Sequence, residues 1–352
     1  MKKNLVVVGY GGMGGWHTEH ALKSDVVNLL GIYDILEERR ELARSRGLYA
    51  YESLEAVLQD PRVDLITVAI PNDVHKETVI RALEAGKHVI CEKPVALSLA
   101  DLDEMIAAAQ KSGALFTTHQ NRRWDVDFLA MKQIAASGEI GPVLRLESRI
   151  HGSRGIPSDW RGRREHGGGM ILDWGVHLLD QIYQIMDEDV CSIYCTTTHY
   201  TNNEVDDGCH IVITFAGGAQ AMVEVGTLNF IPLPRFYMVA QNGTALIRDW
   251  REKTQVVHCK AWHENDVLPV KTAAGLTKTM APRNEITTDT YEVDIPHSDV
   301  HDFYRNVCRA IDGTETQWIT YPQMRKVMRT MELALESAEK GQVLPFTMEE
   351  KK

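Results

Sequence analysis

The segment NLVVVGYGGMGGWHTEHALKS, Asn4 to Ser24, restricts the fold more than any other part of the chain. A continuous apolar strand, Leu5 to Val8, runs directly into Gly9, Gly11 and Gly14, and a helical pattern follows. This is the spacing G-x-G-x-x-G in the strand-to-helix context it requires. Gly9 permits the tight turn, Gly11 lets the backbone approach a pyrophosphate, and Gly14 lets helix and strand pack closely. Gly12 and Met13 occupy the same turn, and the helix N-terminus that follows is suited to phosphate. A second apolar run, VVNLLGIYD, ends in Asp34, where a carboxylate can accept hydrogen bonds from an adenosine ribose. Asp34 would repel a 2′-phosphate, and Ile35, Leu36 and Glu37 follow it. NAD is therefore favoured over NADP, with Arg39 and Arg40 as the reservation.

Alternation of strand and helix continues. VDLITVAIPND and KHVICEKPV read as buried strands with the helix HKETVIRALEAG between them; LADLDEMIAAAQKSG reads as a helix and ALFTTHQN as a further strand. Such runs build a parallel sheet with right-handed crossovers, and ligands collect at the carboxyl ends of its strands. Pro71, Asn72, Glu92, Lys93 and Pro94 fall at such ends. Lys93 is a cation at the end of an apolar strand; seen alone, it is equally a solvated loop residue. His75 is open between a ligand contact and a helix-start surface residue.

At 352 residues the chain is long enough for two domains, and 44% hydrophobic with 25% charged residues is a globular composition. A net charge of −11 argues against nucleic-acid or anionic-membrane surfaces, leaving small molecules as the expected partners. The cysteines at 91, 191, 195, 209, 259 and 308 form no CxxC pair and no metal spacing. Reduced buried thiols, no metal and a cytoplasmic location are expected. Glycines interrupt the apolar run near the start, so neither an export signal nor a membrane span is expected.

GGGMILDWGVHLLDQ, Gly167 to Gln181, places Asp173 and His177 four residues apart, on one face of a helix. Asp180, Gln184 and Asp187 continue that spacing, so the segment alone allows either a solvated face or a catalytic couple.

Together, AGKHVICEKP and GGGMILDWGVH resemble the Gfo/Idh/MocA family, the glucose-fructose oxidoreductase and inositol dehydrogenase type. The resemblance extends through the glycine fingerprint, AIPNDVH at 69–75, CEKP at 91–94, QNRRWD at 120–125 and the Asp-x-Gly-x-His of 173–177. It implies an α/β N-terminal Rossmann domain, residues 1–121, and an α+β C-terminal domain, residues 122–352, with a large, mainly antiparallel sheet. One face of that sheet would receive substrate and the other would support a homodimer or homotetramer. CHIVITF and AQAMVEVGTL independently read as a hairpin across AGG, with strand-like runs at 143–150 and 236–248. The segment 250–293 reads as irregular, a lid or subunit arm, and helices are expected near 298–312 and 321–340.

The resemblance further implies that Lys93, Asp173 and His177 surround nicotinamide and substrate. Cofactor contacts are expected from Gly9, Gly11, Gly12, Met13, Gly14, Asp34, Pro71, Asn72, His75, Glu92 and Lys93. In alcohol oxidation His177 would take the hydroxyl proton, Asp173 would orient His177, and Lys93 would stabilise alkoxide charge. Sugars, cyclitols or glycosides are the implied substrates. GSRGIPSDWRGRREHGGG offers Trp160, Arg161 and His166 to such a ring, with Arg123 from QNRRWD, although a solvated loop would have the same composition. Two alternatives stay open: a redox-cycling glycosidase using NAD transiently, and a non-catalytic sensor of NAD and sugar.

Overall fold

The structure is a computed structural model and describes residues 2–261 and 267–348. Strands β1 (Lys3–Val8), β2 (Val27–Tyr33), β3 (Leu65–Val68), β4 (His88–Cys91) and β5 (Phe116–Thr118) form a parallel sheet in the order β2-β1-β3-β4-β5. Helices α1 (Gly12–Lys23), α2 (Glu37–Ser45), α3 (Leu54–Gln59), α4 (His75–Glu84) and α5 (Leu99–Ser112) supply its crossovers. Leu5, Val6, Val7 and Val8 are at most 2% exposed, the continuous burial of a strand covered on both faces. Ser98 caps α5 by accepting from Asp101 N, and Gly113 at φ 71° closes it.

Helix α6 (Val126–Ser137) leads to β6 (Val143–His151), and α7 (Val176–Ile185) precedes β7 (Val190–Thr198), β8 (Gly208–Phe215) and β9 (Gln220–Gly226). Then come β10 (Phe236–Ala240), β11 (Gly243–Ile247), β12 (Thr254–Cys259), the small pair β13 (Val270–Thr272) and β14 (Gly275–Thr277), and β15 (Thr288–Val293). Helices α8 (His301–Ile311) and α9 (Tyr321–Lys340) precede β16 (Leu344–Pro345). Nine of these strands form one sheet, ordered β15-β12-β11-β10-β6-β9-β8-β7-β16. Only β6 and β9 pair in parallel; the other neighbours are antiparallel.

Alternation decides which face of that sheet is covered. Along β8, Cys209, Ile211, Ile213 and Phe215 are buried, on the side packed by α7 and α9, while His210 points the other way. The opposite face carries an ion-pair ladder: Arg149 reaches Glu224 at 2.9 Å and also holds Glu147, which pairs with Arg145 at 2.9 Å.

The segment read as irregular, 250–293, contributes β12 and β15 to the sheet edge, while the part of it at 262–266 lies outside the described residues. Polar edge strands such as TDTYEV carry too few apolar residues for alternation to announce them. Helix α8 returns to the first sheet's side of the molecule: Arg305 pairs with Asp25 at 3.0 Å and Lys3 with Asp312 at 2.5 Å. Among the described residues, no helix is long and apolar enough to cross a membrane.

Candidate active site

At the carboxyl edge of the parallel sheet the glycine turn is shaped by two close approaches. A Cβ at Gly9, whose φ is 95°, would lie 2.2 Å from the carbonyl oxygen of Ala69; one at Gly14 would lie 1.8 Å from that of Gly9. Gly11 and Gly12 have no atom of the described residues within 4 Å of a notional Cβ. The amino end of α1 is thus bare backbone, with no acidic side chain in its first turn, an arrangement that fits a pyrophosphate. Asp34 is fixed beside it: Oδ2 accepts from Tyr10 N at 2.6 Å and Oδ1 from Leu36 N at 2.9 Å. Arg39 lines the adjoining cavity of about 360 Å³ together with Tyr10, Gly11 and Arg46. Arg40 instead donates to the carbonyls of Asp34 and Ile35.

Lys93 follows β4 and extends to the turn before α7. Its Nζ lies 2.9 Å from Asp173 Oδ1 and 3.0 Å from the Asp173 carbonyl oxygen. Arg161 Nε approaches the other carboxylate oxygen at 3.3 Å. Burial pushes the Asp173 carboxyl up, but the Lys93 ammonium and then the Arg161 guanidinium outweigh it and hold it below its usual range. His177 is 4% exposed. Burial first, then the charges of Lys93 and Arg122, hold its imidazole well below the usual histidine range, so it is neutral at pH 7. Its Nδ1 is buried without a hydrogen-bond partner among the described residues.

The family resemblance implies that Asp173 orients His177, but the structure gives the Asp173 carboxylate other partners. Ile171–Gly175 is a π-helical turn, and among the described residues the Asp173 carboxylate goes to the Lys93 ammonium and the Arg161 guanidinium while His177 Nδ1 has no hydrogen-bond partner. Asp173 therefore serves Lys93 and Arg161. Nor is this the wet side of a helix, since Asp180 and Gln181 are buried as well. Asp206 secures the start of the turn: its Oδ2 accepts from Ile171 N at 2.8 Å, and a Cβ at Gly169, where φ is 110°, would lie 2.3 Å from its Oδ1.

Several residues expected at the cofactor turn their side chains inward. Glu92 Oε1 accepts from His17 Nε2 and His119 Nδ1, each at 2.8 Å, and His17 Nδ1 meets the Tyr304 hydroxyl at 2.5 Å. Burial, then the neighbouring His119, lowers His17 to about 4. The ligand-capable atoms of His17, Glu92 and His119 lie within 4.8 Å of one another, a spacing open to a metal ion, although hydrogen bonds join them here. His75 is fully buried, with its ring nitrogens 3.0 Å from the Pro94 oxygen and 2.9 Å from the Ile70 oxygen, so it braces two loops. Asn72 donates to the Gly167 oxygen at 3.1 Å, joining the turn after β3 to the glycine run; Pro71 is exposed.

On the substrate side, Arg161 reaches the Asp173 carboxylate and its guanidinium lies 4.5 Å from the Trp160 ring centroid. His166 stands 3.4 Å from Asp73. Arg123 is not available to a ligand. It is buried, clasping Asp180 at 2.7 and 2.6 Å and donating to the Trp318 oxygen at 3.0 Å. Its neighbour Arg122 is the one beside the site, 4.3 Å from the Trp174 ring centroid. Nothing in the doublet Arg-Arg distinguishes the two; only tertiary packing does.

Family models match most of the two sheets. One, GFO_IDH_MocA, described as "Oxidoreductase family, NAD-binding Rossmann fold", covers residues 3–120, and the GFO/IDH/MocA C-terminal domain covers residues 128–246. A myo-inositol 2-dehydrogenase of Thermotoga maritima is 33% identical over 62% of this chain and 66% of its own length. A scyllo-inositol 2-dehydrogenase (NADP(+)) of Bacillus subtilis is 24% identical, covering 96% of this chain and 94% of its own. The chain spans less than two thirds of the length of the first curated relatives it matches. Among solved structures, an NAD-binding protein from Listeria innocua is 44% identical, covering 98% of this chain and 99% of its own, with a TM-score of 0.94. A levoglucosan dehydrogenase in complex with NADH and levoglucosan, 18% identical with coverages of 98% and 99%, shares the fold at a TM-score of 0.80.

Arg123→Ala would leave the Asp180 carboxylate buried and uncompensated, a loss of about 3–5 kcal/mol of stability. Arg122→Ala should cost far less, because its ion pair with Asp125 is about a quarter exposed. Urea unfolding of both variants checks the assignment, and equal losses would contradict it.

Proposed function

The chain belongs to the Gfo/Idh/MocA oxidoreductase family, and on that premise we propose that it moves a hydride between a secondary alcohol of a sugar, cyclitol or glycoside and the nicotinamide of NAD. The observation that carries the reading is the meeting of Lys93, Asp173 and neutral His177 at the carboxyl edge of the sheet that bears the glycine turn. NAD, when bound, supplies the hydride acceptor. Gly11, Gly12 and the amino end of α1 would hold its pyrophosphate, and Asp34 its ribose. In this proposal residues 1–121 hold cofactor, residues 122–352 hold substrate, and the sheet face bearing the ion-pair ladder meets a second copy.

Each of the three side chains has a separate part in the reaction. His177, neutral and with Nδ1 free of partners among the described residues, takes the proton of the substrate hydroxyl. Lys93 stabilises the developing alkoxide, and Asp173 holds Lys93 in place through both its carboxylate and its carbonyl. Burial excludes water from His177 and strengthens the effect of the nearby cation.

With NAD and a panel of sugars, cyclitols and glycosides, the native protein should form NADH and ketone in step. His177→Ala should lower turnover by roughly 10²–10⁴-fold while NADH binding, followed by fluorescence, changes little. Near-native turnover in that variant would remove His177 from the reaction. Cleavage of a glycoside at constant NADH would favour the redox-cycling alternative.

Asp34 also sets the expected cofactor choice. Native protein should bind NADH more tightly than NADPH, and Asp34→Ser should reduce that preference by roughly tenfold, on the order of 1.4 kcal/mol. A native preference for NADPH would contradict the role given to Asp34 and point to Arg39 at the cavity.

A further inference from the structure

A second aromatic wall stands beyond the catalytic turn. Trp174, between Asp173 and His177 in the chain, has its ring centroid 5.9 Å from that of His177 and 6.1 Å from that of Trp250. Trp250 belongs to the turn between β11 and β12, far from the catalytic residues in sequence. Arg235, buried and hydrogen-bonded to Ser148 and Gln181, lies 4.9 Å from the Trp250 ring centroid and helps hold the indole in place. Arg122 lies against both indoles, 4.3 Å from the centroid of Trp174 and 5.0 Å from that of Trp250. Its Nη1 pairs with Asp125 at 3.0 Å, and its Nε is buried without a hydrogen-bond partner among the described residues.

Arg122 and Trp250 line a cavity of about 660 Å³ with Asp249, Arg251 and Glu252. On the proposed reading the reacting ring lies against Lys93 and His177, and Trp174, 5.9 Å from His177 and 6.1 Å from Trp250, relates that place to the cavity, so a group attached to the reacting ring would extend toward Trp250. An indole beside polar donors and acceptors suits a pyranose, which offers an apolar C–H face and a rim of hydroxyls. The charged lining balances, with two guanidinium groups against two carboxylates, which suits neutral hydroxyls better than a phosphate or carboxylate.

We propose that Trp250 and Arg122 form a second sugar subsite, which makes the substrate a glycoside of at least two rings. The proposal rests on the dehydrogenase reading for the reacting ring, but binding tests it separately from turnover. Calorimetric titration of the NADH-loaded native protein would compare the single-ring probes glucose and myo-inositol with the two-ring probes maltose and cellobiose.

At least one two-ring probe should bind about tenfold or more tightly than both single-ring probes. Trp250→Ala should remove most of that advantage, Trp250→Phe should keep most of it, and single-ring binding should change less than about threefold. No advantage for two rings in the native protein, including no binding of any probe, overturns the subsite; so does an equal loss for both probe classes. If Trp250→Ala does not fold, by its thermal transition, Arg122→Met decides on the same criterion. A two-ring preference that depends on Trp250, without NADH formation from any sugar, would keep the subsite and reject the dehydrogenase reading.

Discussion

The ion pair between Lys93 and Asp173 is the contact on which the arrangement of the site depends. Lys93 leaves the end of β4 in the parallel sheet, and Asp173 sits in the π-helical turn that leads into α7 beneath the larger sheet. The ammonium engages the Asp173 side chain and its backbone carbonyl at once, so it fixes both the position and the conformation of that turn. Arg161 brings the loop before the glycine run to the same carboxylate. Because the pair is largely buried, loss of either partner would strand the other charge, and three segments would lose their common anchor.

The same pair sets the electrostatics of His177. The lysine charge, added to burial, keeps the imidazole neutral where an exposed histidine would begin to titrate. Glu92, adjacent to Lys93, points the other way. Its side chain turns inward to His17 and His119 and joins α1, the end of β5 and, through Tyr304, helix α8. His17 stays neutral down to about pH 4, whereas an unfolded chain would protonate it near 6.5. Its folded value is depressed, so the associated stability is present above about 6.5 and is lost as pH falls through that window toward 4.

What could be read from the sequence was local. Strand, glycine turn, helix and Asp34 lie close together in the chain, and each requires the others, so the first sheet was visible in the residues alone. The large sheet was visible where apolar and polar residues alternate, as in β8 and β9, and hidden where edge strands are polar, as in β15. Neighbouring residues with opposite destinations were not separable. Arg122 borders the site while Arg123 ties α7 into the interior, and Glu92 faces inward while Lys93 faces Asp173. The engagement of Asp173 by Lys93 and Arg161, and the arrival of Asp206 and Trp250 beside the π-turn, arise only from tertiary packing.

The most direct test of this account is the titration of His177 itself, followed by NMR of ring-labelled histidine and assigned by comparison with His177→Ala. In the native protein the ring should remain neutral to well below pH 6.5, because burial and the neighbouring cation both resist protonation. In Lys93→Met its titration should move upward, since one of those charges has gone. A native midpoint at or above 6.5, or a midpoint unmoved by loss of Lys93, would contradict the claim that the pair spanning the two sheets governs the candidate base.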